Sequence, residues 1–313
     1  MAKSRTDMPN GVKFNVRKGW IHLFPLPAFA VYTLFIVYPI AAAFGYSLFD
    51  WQGLQRGTFV GIGNFVRLFT QEPFNRLFWN ALSHNVYYFA LEMIVQNGIA
   101  FVLAYIVYSK IKGAEWFKAA FFLPRLLSVI VVGFLWKLIL HPNNGALNVA
   151  LEAIGLDSWA KPWLGEPATA LTAIILVNCW FLIGFAVLIF LAGLQSISQE
   201  IIEAAKLDGA QKFRLLRYMI VPMMKPSFII MTVFTFVHSF EAFELVYAME
   251  GSQGEPYFST DTLAVYFYRT AFGSAGDSAA IGLGSALAVV LFIIIASLSA
   301  LFMYSTRKQE TEF

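Results

Sequence analysis

The chain has 313 residues, 58% of them hydrophobic and only 13% charged, with a mean hydropathy of +0.65. Soluble domains carry roughly 45–50% apolar and about 25% charged residues, so this composition excludes an ordinary soluble enzyme and describes a chain built for lipid. The net charge of +3 is small and comes from scattered loops, which excludes the continuous basic stripe of a nucleic-acid binder. The single cysteine, Cys179, lies in an apolar run. It cannot form an internal disulfide, no Cys/His cluster has metal-ligand spacing, and it reads as a small buried apolar residue.

Residues 1–19 are polar and basic, with Lys3, Arg5, Lys13, Arg17 and Lys18, and read as a tail. The apolar run from Trp20 to Phe49 is too long for a signal h-region and reads as a retained first span. A helix needs ~20 mostly apolar residues to cross the hydrocarbon core. Six segments qualify, at about 20–48, 80–108, 116–140, 168–192, 226–249 and 278–304. Between the first two, "DWQGLQRGTFVGIGNFVRLFTQEPFNR" suits an ordered interfacial loop with a short helix near Ile62–Phe69. Trp51 and Trp79 flank it, at the depth where amphipathic rings belong. In the loop 141–167, residues Ala146 to Ile154 suit a small amphipathic helix. The expected fold is an all-α membrane protein with six transmembrane helices. It divides into the tail, a transmembrane unit over 20–304 and a second tail over 305–313, with no repeat and no second domain.

Orientation follows from Lys and Arg. Residues 1–19, 109–118, 193–225 and 305–313 share one side and carry five, three, five and two basic residues, 15 of the 22 in the chain. The opposite loops carry five, and Arg125 and Lys137 lie within the third span. The positive-inside rule then places both termini and the loop 193–225 in the cytoplasm.

That loop is unusual. Ser198 is a plausible N-cap with Glu200 in the first turn, and Ile201, Ile202, Ala204, Ala205 and Leu207 make a short helix. Gly209 suits the left-handed conformation that ends a helix, and Asp208 can cap the next helix. Phe213, Leu216 and Ile220 recur at helical spacing among Lys212, Arg214 and Arg217, and Pro222 and Pro226 mark the return to the membrane. The product is a helix–turn–helix elbow of about 196–226. It presses one face on the bundle and offers the other to a partner.

The stretch "FLAGLQSISQEIIEAAKLDGAQKFRLLRYMIVPMMKP" resembles the EAA loop of permease subunits in bacterial ATP-binding-cassette importers, in the carbohydrate-uptake, MalF-like branch. "GIGNFVRLFTQEPF", "FKAAFFLPRLLSVIVVGFLWKLILHPNNGALN", "FELVYAMEGSQGEP" and "TDTLAVYFYRTAF" are similar to other segments of that family, so the likeness covers roughly residues 45–305. It implies a type I importer permease fold in the bacterial cytoplasmic (inner) membrane, with the elbow as the coupling helix. Glu203, Ala204, Ala205, Asp208, Gly209 and Phe213 would meet the ATPase, Glu203 pairing with a basic residue there. It implies as partners a second homologous permease, two cytoplasmic ATPase subunits and a periplasmic or lipid-anchored sugar-binding protein. ATP and Mg would sit on the ATPases. This chain has no phosphate-binding GxxxxGK[ST] sequence, so no cofactor, metal or catalytic residue is assigned to it.

Polar groups inside spans are expensive and need a reason. Arg125 follows Pro124, which can kink the third span. It is either a salt-bridged or snorkelling cation or a cavity cation. Lys137 beside Trp136 suits snorkelling. His238, Glu241 and Glu244 in "FVHSFEAFELVY" are three apart and share a helical face. They suit a water-filled lining, although a lone His is also a good interhelix hydrogen-bond donor. Asn178 and Trp180 in the fourth span are further substrate-path candidates, through hydrogen bonds and stacking on sugar. Trp180 is equally suited to core packing. Glu241 and Glu244 can neutralise Arg125 and His238, which favours a neutral sugar; an acidic or sulfonated one stays open. The rival class is an ion-coupled secondary transporter or channel subunit, whose broken mid-membrane helices or inverted repeats are not evident here. A membrane enzyme has no nucleophile–base pair to rest on.

Overall fold

The computed structural model describes residues 25–109, 112–210, 213–273 and 280–310. The tail with Lys3, Arg5, Lys13, Arg17 and Lys18, the start of the first span from Trp20, and also Lys110, Lys212 and residues 311–313 lie outside the described residues.

Helix α1 (Leu26–Tyr46) is the first span and packs along the last helix of the chain. The following segment, read as a loop, instead forms an antiparallel hairpin of β1 (Phe49–Gln52) and β2 (Gln55–Phe59). The Phe49 and Phe59 rings meet edge-on at 5.3 Å, and the Arg56 guanidinium lies 3.6 Å over Phe49. Such cross-strand aromatic pairs hold hairpins that propensity alone does not signal. The expected short helix follows as α2 (Gly63–Thr70). Its Asn64 amide donates to the Ser47 and Phe49 carbonyls, which ties hairpin to helix.

The second span, α3 (Phe74–Tyr108), is one helix of 35 residues. It starts before residue 80 because Phe78 and Ala81 bury against Leu68, Tyr266 and Leu287. The third span is not straight. Helix α4 (Ala114–Phe122) ends in a 3-10 turn, Leu123–Leu126, and α5 (Val129–Ile139) leaves at 97° to it. Pro124 cannot donate to the ladder, but the bend itself falls at Leu127 and Ser128, whose extended backbone redirects the chain. Helix α6 (Ala146–Ala153) occupies the expected place.

The fourth span, α7 (Ala170–Ser196), is apolar all round and buried along most of its length, as a central helix must be. It passes so close to the Phe121–Phe122 backbone that a Cβ at Gly184 would clash there. After it come α8 (Gln199–Leu207) and α9 (Phe213–Met223), then α10 (Lys225–Phe240) at 64° to α9. The fifth span therefore stops at Phe240 rather than 249. Residues Glu241 to Phe243 break the helix, and a separate short helix, α11 (Glu244–Glu250), follows. Thr262 donates to the Ala242 carbonyl freed by that break. Helices α12 (Leu263–Phe272) and α13 (Ile281–Glu310) complete the chain. Arg269 on α12 forms a buried two-point salt bridge with Asp261, at 2.9 and 2.6 Å.

Among the described residues, four helices are long and apolar enough to cross a membrane, and counting the two bent pairs as one span each gives six. Three apolar clusters hold them together. One surrounds Ile174 and Leu182 with Val132 and Val246, one surrounds Phe190 and Leu194 with Ala100 and Ile202, and one joins Leu68, Phe78 and Leu287.

Candidate functional site

Both interrupted spans open onto one cavity. The turn after α4 brings Arg125, α3 brings Tyr88, α7 brings Asn178, α10 and its end bring His238 and Glu241, and α11 starts with Glu244. The cavity measures about 340 Å³, within the ~300–1,000 Å³ range of small-molecule sites. The reading of His238, Glu241 and Glu244 as one helical face is corrected, since the helix breaks between the two glutamates. The three still line the same space, because the chain turns around it. Broken helices, which the sequence does not reveal, are thus present and border the cavity.

Arg125 is exposed to this space, with its guanidinium 5.0 Å from the centre of the Phe181 ring. It has no salt bridge among the described residues, so the cavity-cation alternative fits it better than the buried ion pair. Asn178 Nδ2 donates to Glu92 Oε1 at 2.5 Å, and His238 Nδ1 lies 3.7 Å from the same oxygen. His238 therefore faces the cavity and stands beside Glu92 of another span without a hydrogen bond to it. Trp180 is not among the cavity residues. It packs edge-on against Trp136 at 5.4 Å, away from this cavity.

Glu92 is absent from the candidates that the sequence suggests. Its side chain is 1% exposed, behind the cavity wall. A signal for it exists: it is the one Asp, Glu, Lys or Arg within residues 80–108, and an acid at that depth asks for a function.

The elbow forms as its residues dictate. Ser198 Oγ accepts from the Glu200 N–H, and Gly209 ends α8 with φ +86°. Asp208 is the C-cap of α8 rather than the start of the next helix; residues 211–212, where that start would lie, are outside the described residues. Ile202 and Ala205 are buried against the bundle. Ala205 thus points away from any partner and is corrected as a coupling contact. Glu203, Ala204, Asp208, Gly209 and Phe213 remain on the outer face. Leu207 joins them at 89% exposure, an apolar group outside the expected coupling set.

Residues 96–308 match the family described as binding-protein-dependent transport system inner membrane component. The probable ABC transporter permease protein YurN of Bacillus subtilis is 34% identical over 92% of this chain and 97% of its own. The probable starch degradation products transport system permease protein AmyD of Thermoanaerobacterium thermosulfurigenes is 30% identical over the whole of both chains. Among solved structures, a chain of a bacterial ABC transporter involved in the import of the acidic polysaccharide alginate superposes with a TM-score of 0.79. It shares 22% identity over 93% of this chain and 96% of its own, a likeness of fold. The match covers most of the chain, and the chain belongs to the family of binding-protein-dependent transport inner membrane components.

Proposed function

We propose that this chain is the membrane permease of an ATP-driven sugar importer. Its polar cavity forms half of the substrate path, and its elbow docks an ATPase. The observation that carries the reading is the pairing of these two features. A polar space opens where spans three and five break, and the elbow turns Glu203 and Leu207 of α8 and Phe213 of α9 outward. Relatives bearing sugar-transport names support the substrate class. Arg125, Asn178, His238, Glu241 and Glu244 would meet the passing sugar. A second, homologous permease would complete the path. Two cytoplasmic ATPases would hold ATP and Mg, and a binding protein would deliver sugar from the far side. The membrane unit then spans about 20–304, with both tails in the cytoplasm.

The test is reconstitution of the chain with those partners in proteoliposomes. Sugar should stimulate ATP hydrolysis, and uptake should need ATP and survive a collapsed proton gradient. Uptake that dies with the gradient and ignores ATP would instead support an ion-coupled carrier. Orientation has its own test: reporters fused after Lys110 and Gln195 should read cytoplasmic, and one after Gly155 periplasmic.

A further inference from the structure

Glu92 stands behind the cavity, where α3 runs into a π-helical turn at Met93–Asn97. Such turns frequently mark functional sites. Its Oε1 is engaged by Asn178 and lies near His238. Its Oε2, Gln96 Oε1 on the next turn and His238 Nδ1 are all buried without a hydrogen-bond partner. Among the described residues, the one basic group within ion-pair distance of Glu92 is His238. A buried, half-used carboxylate costs stability; a role in shaping the neighbouring site explains its place.

We infer that Glu92 is a positioning residue that turns the cavity wall into a surface of hydrogen-bond acceptors, so that it passes uncharged, hydroxyl-rich sugars and turns away sugar acids. The inference rests on the sugar-importer reading above. Because Asn178 spends an amide N–H on Glu92, its carbonyl oxygen is left to accept. Because Nδ1 is the buried edge of the His238 ring and faces a carboxylate, the tautomer with hydrogen on Nδ1 is favoured. That makes Nε2, on the accessible side, an acceptor. Glu241 and Glu244 add carboxylate oxygens to the same lining. Against these stands Arg125, the one Lys or Arg lining the cavity among the described residues. Sugar hydroxyls donate to such a wall. A uronate meets two carboxylates, Glu241 and Glu244, with Glu92 buried close behind, for one guanidinium, and like charges at close range are repelled. The shared fold with an importer of an acidic polysaccharide therefore does not carry a shared preference.

The experiment separates the cavity's choice from the binding protein's. The complete permease–ATPase complex is purified without binding protein, and binding of maltose, lactose and digalacturonate is followed by saturation-transfer NMR. In the wild type, one of the neutral disaccharides should bind at least about tenfold more tightly than digalacturonate. Glu92→Gln keeps the shape but offers an N–H₂ to Asn178 and His238, which lets both turn. The preference should fall about tenfold, equivalent to ~1.4 kcal/mol. In proteoliposomes, KM for the preferred sugar should rise by more than the maximal rate falls, and Glu92→Asp should restore part of it. Equal binding of digalacturonate, no binding of either neutral sugar, or an unchanged preference in Glu92→Gln would each overturn the inference. If Glu92→Gln does not insert, the wild-type comparison decides alone. Failure of ATP-driven uptake of every sugar by the wild type would instead remove the importer reading itself.

Discussion

The elbow and the cavity are built by different means. The elbow is one short stretch, and local rules make it: a serine cap, an amphipathic turn of helix and a left-handed glycine. The cavity draws side chains from positions as far apart as Tyr88 and Glu244, and long-range packing alone brings them together. The first kind of site survives change in the rest of the bundle. The second is sensitive to every helix crossing around it.

The comparison breaks most visibly at Gly209. Nothing crowds a Cβ there, so Gly209→Val leaves packing alone and acts on the backbone. A β-branched residue at φ +86° is strained by roughly 1–2 kcal/mol, and the turn should relax by re-aiming α8. We expect the protein to insert and sugar-stimulated ATP hydrolysis to be lost. Glu203→Lys should lose it as well, by reversing the charge on an exposed position of the proposed coupling face. Wild-type stimulation in well-inserted Gly209→Val would show that the turn does not aim the elbow.

The same contrast explains what the sequence reveals. Ser198 and Gly209 speak through neighbours in the chain, and the structure places them as expected; the apolar runs mark where the spans lie but not their ends or bends. The breaks in spans three and five do not speak this way: hydropathy stays high through "FLPRLLSVI" while the backbone turns, and the polar residues of "HSFEAFELV" read equally well as the lining face of a continuous helix. Neither Leu127 nor Ser128 is a helix breaker by type; their extended conformation follows shortly after α4 meets α7 backbone-to-backbone at Gly184. The hairpin is hidden for a similar reason, since its Phe49–Phe59 pair is visible only once the strands face each other. Glu92 is easily passed over because a single acid does not lower the hydropathy of a long run.

Gly184→Val tests whether the cavity depends on that crossing. The added side chain would strike the Phe121 and Phe122 backbone, which has no flexible end to yield. Overpacking of this kind costs typically 1–3 kcal/mol. The variant should melt at a lower temperature than Gly209→Val and lose sugar binding while the elbow keeps its fold. An unchanged melting temperature would mean that the crossing is looser than the structure shows.

Smaller effects are expected from the cavity lining itself. Arg125→Met removes the guanidinium over Phe181, and His238→Gly removes the ring next to Glu92. Hydrogen bonds to a charged group are worth ~1.5–3 kcal/mol, so loss of one sugar contact should cut uptake about tenfold, with insertion retained. If transport is unchanged in both, these groups are structural and the substrate path lies elsewhere.

The smallest effect is expected at Leu207, and it separates the two faces of the elbow. Ile202 and Ala205 point into the bundle, where Ala100, Leu194 and Met224 surround them. Leu207 points outward and is 89% exposed. An apolar side chain left in water contributes nothing to the fold, so Leu207→Ala should leave the melting temperature of the isolated permease unchanged. In an assembled importer the same side chain would be covered. Burying a leucine is worth about 1.5–3 kcal/mol, but truncation to alanine at the rim of an interface recovers only part of it, about 1 kcal/mol. The ATPase should then dissociate a few-fold more readily, read as a shifted midpoint when the complex is titrated with free ATPase subunit. Ile202→Ala should do the reverse, lowering the permease's own stability while leaving the contacts of the outer face in place. A Leu207→Ala variant that melts early but binds ATPase normally would mean that α8 turns its other side to the partner.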